Sequence, residues 1–342
     1  MVSIKKQVVI VSPALADANN GNWQTARRWQ KFLQTATAGQ PGFAARIVTQ
    51  WPDGPAAAHD SAMIALHARR SAASILAWAQ SRGDAAALQP VPGLAVVLTG
   101  TDLYRDIQTD AQAQRSLRLA LRLVVLQALG LAALPAALQA RAQVIFQSTP
   151  ARQSLPKSAR FIRAVMVGHL RDEKSPQTLF AAARLLTQQE AIHIDHIGAP
   201  LDPALAVLAQ ATAAACPNYR WLGALPHEAT RRRIQRAHVL VHTSRMEGGA
   251  HVVMEAVRSG TPVLASRIDG NVGMLGNDYA GYFDWDHAEQ LVDLLRRCHL
   301  EPAFYAQLQA QCAARAPLFA LETERRAVQQ MVTELTAAPP RF

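Results

Sequence analysis

Short apolar runs alternate with longer amphipathic segments along the first part of the chain. The runs are rich in Val and Ile and too short for helices, so they predict β-strands. They lie at Val8–Ser12, Arg46–Gln50, Leu94–Thr99, Leu123–Gln127 and Val144–Ser148. The segments Trp23–Leu33 and Asp60–Gln80 repeat apolar residues at spacings of three and four, which predicts helices.

A polar segment at residues 149–158 interrupts this alternation. It contains two prolines and has no periodicity, so we interpret it as an interdomain linker. Six further strands are predicted after it, at Arg163–Val167, Ile192–Ile197, Tyr219–Leu222, Val239–Thr243, Pro262–Ser266 and Gly281–Phe283. The predicted helices are Pro176–Thr187, Asp202–Ala215, His227–Arg236, Ala250–Ser259 and Ala288–Cys298, with a helical tail from about Glu301.

Regular alternation of strands and helices indicates an α/β fold class, with parallel sheets covered by helices on both faces. Two such series predict two Rossmann-like, doubly wound domains that face each other across a cleft. We assign residues 1–150 to an N-terminal domain, 151–318 to a C-terminal domain, and 319–342 to a helix that packs back toward the N-terminal domain. Ligands of such sheets bind beyond the carboxyl ends of the strands, so functional residues are expected in the loops after the strands.

Composition narrows the class of protein. Half of the 342 residues are hydrophobic and 18% are charged, which excludes a disordered chain. The three cysteines form no C-x-x-C pair, which argues against a disulfide framework and a structural zinc site. We expect no metal and no cofactor. Four histidines alternate with apolar residues on predicted strands and are interpreted as core residues: His193, His196, His238 and His242.

Hydropathy and charge indicate the compartment and the kind of partner. The most apolar stretch, Leu123 to Leu138, contains Gln127, Gly130 and Pro135 and falls short of the ~20 apolar residues of a membrane span. The apolar run that follows Lys5 and Lys6 is too short for a signal peptide. We therefore predict a cytoplasmic protein without a membrane span. The net charge of +10 indicates an anionic partner of a kind that charge alone does not specify.

The strongest local signal is the segment 244–256, SRMEGGAHVVMEA, which follows a predicted strand and opens a helix. Gly248 and Gly249 allow a ligand to approach the backbone closely, and the free N–H groups at the start of a helix attract anions. Glu247 lies just before the helix and Glu255 two turns into it. Carboxylates at these positions can accept hydrogen bonds from sugar hydroxyls.

This segment, together with residues 256–263, resembles the donor-site signature of retaining, nucleotide-sugar-dependent glycosyltransferases with the GT-B fold. The resemblance implies that Glu255 binds the ribose hydroxyls and that Glu247 faces the transferred sugar. It also implies that one stretch of backbone holds sugar hydroxyls and diphosphate. That stretch consists of Gly248, Gly249, Ala250, His251 and Val252.

The loop 167–174 follows the first strand of the C-terminal domain and agrees with this resemblance. The family usually has Gly-Arg-Leu here and a Lys five residues after the Arg, and the two cations neutralise the diphosphate. Gly168 and Lys174 match, whereas His169 replaces the Arg. We expect Arg171 to supply the missing charge, because its planar guanidinium suits phosphate.

Two glycine-containing loops complete the implied donor site. Residues 223–226 resemble the loop that binds the base and place Leu225 there. Residues 268–273 resemble the loop beside the diphosphate and place Asn271 there. Basic residues and a helix N-terminus can stabilise a departing diphosphate without a metal ion.

Two loops of the N-terminal domain depart from the family pattern. The family usually has a glycine pair before the first helix; here Asn20 replaces the first glycine and Gly21 matches the second. Relatives often have a His-Gly pair where this chain has Thr99 and Gly100. We assign Gly21, Thr99, Asp102 and Glu247 to the catalytic site.

Segments 99–106, 167–176 and 247–251 together are similar to the selenosugar synthases of selenoneine biosynthesis, the SenB family, and the similarity extends over nearly the whole chain. The resemblance implies an enzyme that joins selenophosphate to the sugar of UDP-N-acetylglucosamine or a related UDP-sugar. Such an enzyme forms a carbon–selenium bond and releases UDP, phosphate and a 1-selenosugar. The product is passed to the selenoneine-forming enzyme.

This acceptor fits the absence of a histidine at position 99. Selenophosphate is anionic and a strong nucleophile, so its site needs positive charge more than a general base. The predicted selenophosphate-binding residues are Asn20, Asn22, Arg27, Arg105, Arg152 and Lys157, and Arg28 is a further candidate cation.

Two other interpretations remain open at this stage. A transferase with a hydroxyl acceptor, such as a lipid or a polysaccharide, would share every donor motif. A nucleic-acid-binding protein would fit the charge, but the one dense basic cluster in the sequence, Arg231–Arg233 with Arg236, has no interleaved aromatic residues. The sequence leaves the sugar, the stereochemistry and the oligomeric state open.

Overall fold

The structure, a computed structural model, describes residues 5–13, 21–36, 42–84 and 89–337. The chain divides into two compact units, Met1–Gln147 with Leu321–Phe342 and Ser148–Ala320. Within the described residues each unit contains one six-stranded parallel sheet with helices around it. The predicted α/β fold class is confirmed.

The first unit is built on the strand order β2-β1-β3-β4-β5-β6. Its strands are β1 (Gln7–Val11), β2 (Ala44–Val48), β3 (Asp60–Leu66), β4 (Val91–Leu98), β5 (Ala120–Val125) and β6 (Ala142–Val144). Its first five helices are α1 (Gly21–Gln34), α2 (Ala72–Ser81), α3 (Ile107–Thr109), α4 (Ala111–Leu119) and α5 (Ala136–Gln139). The order reverses between β1 and β3, which makes their carboxyl ends the expected ligand position.

Both faces of this sheet are apolar, which explains the continuous hydrophobic runs. Val8 and Ile10 of β1 pack on one side with Trp29 of α1, while Val9 packs on the other side with Ile75 of α2. Strands buried on both faces have apolar residues at every position rather than at alternate positions.

The segment Asp60–Gln80, predicted as one helix, is instead a strand, a turn and a helix. Residues 60–66 form β3, which pairs with β1 and β4 in the middle of the sheet, and α2 begins only at Ala72. The run from Ala62 to Leu66 is fully buried. A short run of this kind satisfies helical and strand periodicity equally, and the pairing with two neighbouring strands selects the strand.

The second unit has the strand order β12-β11-β10-β7-β8-β9. Its strands are β7 (Ile162–Val167), β8 (Ile192–Ile197), β9 (Tyr219–Trp221), β10 (Val239–His242), β11 (Val263–Ser266) and β12 (Tyr282–Phe283). Its helices are α6 (Pro176–Leu185), α7 (Pro203–Ala215), α8 (His227–Arg236), α9 (His251–Val257), α10 (Asp269–Leu275), α11 (Ala288–Leu300) and α12 (Pro302–Arg315). This is the Rossmann order, and it reverses between β7 and β10. The glycine-rich segment 268–273, predicted as a loop, forms most of α10.

The last helix, α13 (Leu321–Leu335), belongs to the first unit. Glu324 is buried and accepts hydrogen bonds from Trp29 Nε1 at 2.6 Å and from Arg28 Nε at 2.7 Å, both on α1. Val328 and Val332 extend the apolar contact on the same face of the sheet. The chain thus leaves the first unit after Gln147 and returns to it at Leu321.

None of the described helices combines the length and the hydrophobicity that a membrane span requires.

Candidate functional site

The candidate site lies at the carboxyl ends of β7 and β10, the neighbouring strands at which the order of the second sheet reverses. Gly168 follows β7 directly, and Ser244 follows β10 after one residue. The loops after β7 and β8 approach closely, because a β-carbon on Gly198 would lie 1.9 Å from the Gly168 carbonyl oxygen. In a doubly wound sheet this is where a ligand binds.

Lys174 and Glu247, which the sequence places 73 residues apart, meet at this position. The Lys174 ammonium donates to Glu247 Oε1, and the Lys174 carbonyl accepts a 2.8 Å hydrogen bond from Thr243 Oγ1. The side chains are 15% and 13% exposed, so the pair is largely removed from water but reachable. The Lys174 side chain runs alongside Gly168, whose missing β-carbon would touch it at 3.4 Å.

His242 is the third member of this group. Its Nε2 lies 3.4 Å from Glu247 Oε1 and 3.3 Å from Ser244 Oγ, and its side chain is only 3% exposed. Burial by itself would raise the pKa of the Glu247 carboxyl, but Lys174 and His242 outweigh burial, and the pKa is lowered well below its usual value. Glu247 is therefore a carboxylate across the physiological pH range.

The segment after Glu247 turns into α9. Gly248 and Ala250 are buried, whereas Gly249, His251 and Val252 are partly exposed. The Ala250 N–H lies 3.2 Å from Met274 Sδ on α10. These contacts hold the turn against α10 and leave part of its backbone accessible.

Glu255, on α9, forms a second polar group with residues of α8. His227 Nε2 lies 2.7 Å from Glu255 Oε1, and Arg231 Nε is 3.7 Å from the same oxygen. Glu255 and Arg231 are nearly buried, while the His227 side chain is 64% exposed. The hydrogen bond to Glu255 raises the pKa of His227, and burial lowers the pKa of Arg231.

His169 and Arg171, expected to bind phosphate, both lie on the exposed loop after β7. His169 Nδ1 accepts a 3.0 Å hydrogen bond from the Ala199 N–H, which leaves the proton of the neutral ring on Nε2. Burial lowers the pKa of His169, with Arg171 and Lys174 adding to the effect. His169 is thus a neutral donor rather than a cation, and Arg171 is 3.9 Å from Glu173.

Leu225 and Asn271 differ in their access to a ligand. Leu225 is partly exposed in the loop that precedes α8. Asn271 is fully buried, and its Nδ2 donates to the Ser266 carbonyl at 2.9 Å. Ser266 Oγ in turn donates to the Ser244 carbonyl. The Asn271 side chain therefore supports the loop after β10 from behind.

In the first unit, Asp102 ties two loops together. Its carboxylate is fully buried and accepts from the Thr99, Gly100 and Ala68 N–H groups at 2.8, 3.0 and 2.9 Å. Both oxygens accept from backbone donors, so the carboxylate holds the loops after β3 and β4 together, and its catalytic role stays a prediction. Thr99 is partly exposed at the carboxyl end of β4.

The residues predicted to bind selenophosphate are divided between the two units. Asn20 lies outside the described residues, and Gly21, Asn22 and Arg27 occupy the first two turns of α1. Arg105 is exposed, with Nε 3.1 Å from Asp106 Oδ1. Arg28, the further candidate cation, is held by Glu324.

Arg152 and Lys157 belong to the second unit and have structural partners. Arg152 pairs with Glu228, and its backbone N–H donates to the Arg258 carbonyl. The Lys157 ammonium donates to the Ala237 carbonyl and to Thr261 Oγ1. Burial lowers its pKa to about 8. These hydrogen bonds stabilise the carboxyl end of α8, and selenophosphate binding by Lys157 stays a prediction.

Sequence reasoning missed His67, His227, Arg231 and His242. His67 lies directly after β3, where the first sheet reverses; it is buried at φ 72°, with Nε2 3.3 Å from Thr101 Oγ1. It was hidden inside the predicted helix Asp60–Gln80. The sequence predicts a core residue at His242 because it alternates with apolar residues on the predicted strand Val239–Thr243. Its place at the carboxyl end of that strand is the signal that could have revealed it.

The described residues contain no group of three or more His, Cys, Asp or Glu side chains placed to hold a metal ion. The polar groups around Glu247 and Glu255 include two cationic side chains, Lys174 and Arg231, which suit an anionic ligand.

These features define a two-unit α/β protein with a candidate site for an anionic ligand on a Rossmann-type sheet. Residues 147–317, half of the chain, match the family described as Glycosyl transferases group 1. The chain belongs to that family and is a glycosyltransferase.

Solved structures share the whole fold. Sucrose-phosphate synthase from Thermosynechococcus elongatus is 19% identical, with 98% of this chain and 100% of that one covered and a TM-score of 0.75. HepE from Anabaena, solved with UDP-glucose, is 12% identical, with 96% and 99% covered and a TM-score of 0.71. The E. coli trehalose-6-phosphate protein bound with UDP-2-fluoro glucose is 12% identical, with 98% and 100% covered and a TM-score of 0.68. The fold is that of the GT-B glycosyltransferases.

Proposed function

We propose that this glycosyltransferase transfers the sugar of UDP-N-acetylglucosamine, or of a related UDP-sugar, to selenophosphate. The products are a 1-selenosugar, UDP and phosphate. The observation that carries the donor part is the convergence of Lys174 and Glu247, with Glu255 on the helix that follows, at the strand ends where the second sheet reverses.

Each group has a defined task in this proposal. Lys174 neutralises the diphosphate, and its ammonium stabilises the charge that develops when UDP departs. Glu247 accepts hydrogen bonds from hydroxyls of the transferred sugar, and Glu255 accepts them from the ribose. His169 contributes an N–H donor on Nε2, where the family has a cation. Two structural relatives carry UDP-sugars, which supports uridine as the base.

The acceptor is the finer part of the proposal and rests on the resemblance to the selenosugar synthases. Selenium forms a bond to the sugar C1 while the bond from C1 to the UDP oxygen breaks and UDP takes the electron pair. Water then cleaves the selenium–phosphorus bond and releases phosphate. Arg27 and Arg105 are exposed cations of the first unit that remain candidates for binding selenophosphate. The 1-selenosugar would then pass to a selenoneine-forming enzyme.

A hydroxyl acceptor is the second candidate, and the position of His67 favours it. A hydroxyl nucleophile gains from a general base, and His67 is a histidine at the switch point of the first sheet. Burial lowers its pKa, so the ring is neutral and could accept a proton. Its near-complete burial weighs against direct contact with an acceptor.

The test is incubation of the purified protein with UDP-N-acetylglucosamine and selenophosphate, followed by mass spectrometry. A hexosamine with the selenium isotope pattern, formed together with UDP, is expected. UDP release only with a hydroxyl acceptor would overturn the acceptor assignment and leave the donor assignment standing. Arg27→Ala and Arg105→Ala should raise the KM for selenophosphate, with Arg326→Ala, an exposed arginine of α13, as the control.

A further inference from the structure

The ion pair between Lys174 and Glu247 raises a problem for the donor reaction. In the proposed function Lys174 binds the diphosphate, yet in the structure its ammonium is bonded to Glu247. Glu247 is only 13% exposed, and a carboxylate in such a place is costly without a partner. When Lys174 turns to the diphosphate, Glu247 needs another group to keep it charged and oriented.

His242 is placed to be that group. It ends β10, where its backbone is registered against Ala265 of β11, and its side chain is almost fully buried. Its Nε2 therefore holds a fixed position 3.4 Å from Glu247 Oε1. Lys174, in contrast, reaches Glu247 through a flexible four-carbon side chain that can turn elsewhere.

The hydrogen-bonding state of the ring agrees with this role. Within the described chain, His242 Nδ1 is buried and has no hydrogen-bond partner. Buried acceptors without a partner are more common than buried donors without one, so the proton belongs on Nε2. That N–H faces Glu247 Oε1, with Ser244 Oγ also within reach.

We infer that His242 is a positioning residue of the donor site, which holds the Glu247 carboxylate against the transferred sugar while Lys174 binds the diphosphate. The inference rests on the proposed donor function. In it, His242 does not contact the substrate directly. Its consequence is that His242 affects turnover only through Glu247.

The first test compares two amide substitutions. The Gln nitrogen in His242→Gln can occupy about the place of Nε2, whereas His242→Asn places its polar group near Nδ1. We expect His242→Gln to retain most of the turnover of UDP-N-acetylglucosamine in the presence of selenophosphate. His242→Asn should lower kcat about tenfold to a hundredfold, because the carboxylate moves. Affinity for UDP alone should be unchanged in both, since UDP lacks the sugar that Glu247 faces.

The second test is a double-mutant cycle with Glu247→Ala. If His242 acts only through Glu247, adding His242→Asn to Glu247→Ala should lower UDP release no further. His238→Gln is the control: His238 lies directly before β10, at the end away from His242, and is bonded to the Arg163 N–H and the Ser158 carbonyl. It should alter the thermal midpoint and leave kcat unchanged.

The outcomes separate the inference from the function on which it rests. Independent, multiplicative losses in the cycle, equal losses in the Gln and Asn variants, or full kcat in folded His242→Asn would each overturn the inference. If His242→Asn fails to fold, His242→Leu replaces it as the variant of similar volume without a donor. Failure of the wild-type protein to bind UDP or to release it from UDP-N-acetylglucosamine would instead overturn the proposed donor function.

Discussion

The absence of a side chain at Gly270 creates the space that the Glu247 backbone occupies. A β-carbon on Gly270 would lie 2.2 Å from the Glu247 carbonyl oxygen and 2.9 Å from its carbonyl carbon. Gly270 is in the first turn of α10, so the glycine is required by this contact and not by the helix. The helix thereby fixes the backbone of the residue whose carboxylate Lys174 and His242 hold.

Gly270→Ala should therefore displace the Glu247 loop. We expect about a hundredfold loss of UDP-sugar turnover, as for a displacement of about 1 Å near a reacting group. The free energy of unfolding should fall by about 1–3 kcal/mol through overpacking. Turnover kinetics and denaturant unfolding measure the two effects.

Gly281→Ala is the matched control for this prediction. A β-carbon there would lie 2.6 Å from the Val263 carbonyl oxygen, beside the Tyr279 ring and outside the proposed site. Gly281→Ala should lower the free energy of unfolding by a similar amount and leave turnover of the folded protein unchanged. Equal turnover losses in both variants would contradict the role given to Gly270.

Asp102 provides a prediction that separates structure from catalysis. Asp102→Ala leaves the Ala68, Thr99 and Gly100 N–H groups without their acceptor, and we expect the free energy of unfolding to fall by roughly 3 kcal/mol or more. Asp102→Asn, which keeps one acceptor oxygen, should lower the free energy of unfolding by less. Chemical denaturation of both variants checks this order. Lost turnover in a fully stable Asp102→Asn protein would show that the carboxylate is catalytic after all.

Much of the second unit was predictable because its local patterns agree with its tertiary structure. The strand Ile192–Ile197 and the helix His227–Arg236 were predicted with the bounds that the structure has. The prediction of one helix over Asp60–Gln80 was wrong because the fully buried, Ala-rich run within it satisfies both the helical and the strand periodicity. Pairing with β1 and β4, which lie far apart in sequence, decided between them.

Only those residues of the candidate site that belong to a family motif were predictable from the sequence. The expectation that Lys174 and Glu247 serve the same ligand came from the family pattern, and the structure brings the two side chains together. No local pattern reveals that His242 reaches Glu247 or that Lys157 bonds to the end of α8, because both depend on loops packed from distant parts of the chain. Charge alone likewise could not distinguish Arg27, which is exposed, from Arg28, which Glu324 holds.

The His227–Glu255 pair should make stability depend on pH. The pKa of His227 is raised above its usual value of 6.5, so the pair's contribution is fully present below pH 6.5 and is lost as the pH rises through the raised pKa. The thermal midpoint of the ligand-free wild-type protein should exceed that of His227→Gln at pH 6. The difference should shrink steadily above pH 6.5. A constant difference across this range, or an unchanged pH dependence in Glu255→Gln, would contradict the pairing.

Glu324 should determine how firmly α13 is held on the first unit. Its buried carboxylate is the acceptor for Trp29 Nε1 and Arg28 Nε, so Glu324→Ala leaves a buried indole N–H and a largely buried guanidinium without their partner. Removing one member of such a buried group lowers the free energy of unfolding by about 3–5 kcal/mol. We expect Glu324→Ala to lower the unfolding midpoint of the first unit and to increase hydrogen exchange in α13.

Glu322→Ala is the control, because Glu322 is exposed and pairs only with arginines of its own helix in the described chain. Comparable losses in the two variants would show that α13 is held by its apolar face alone.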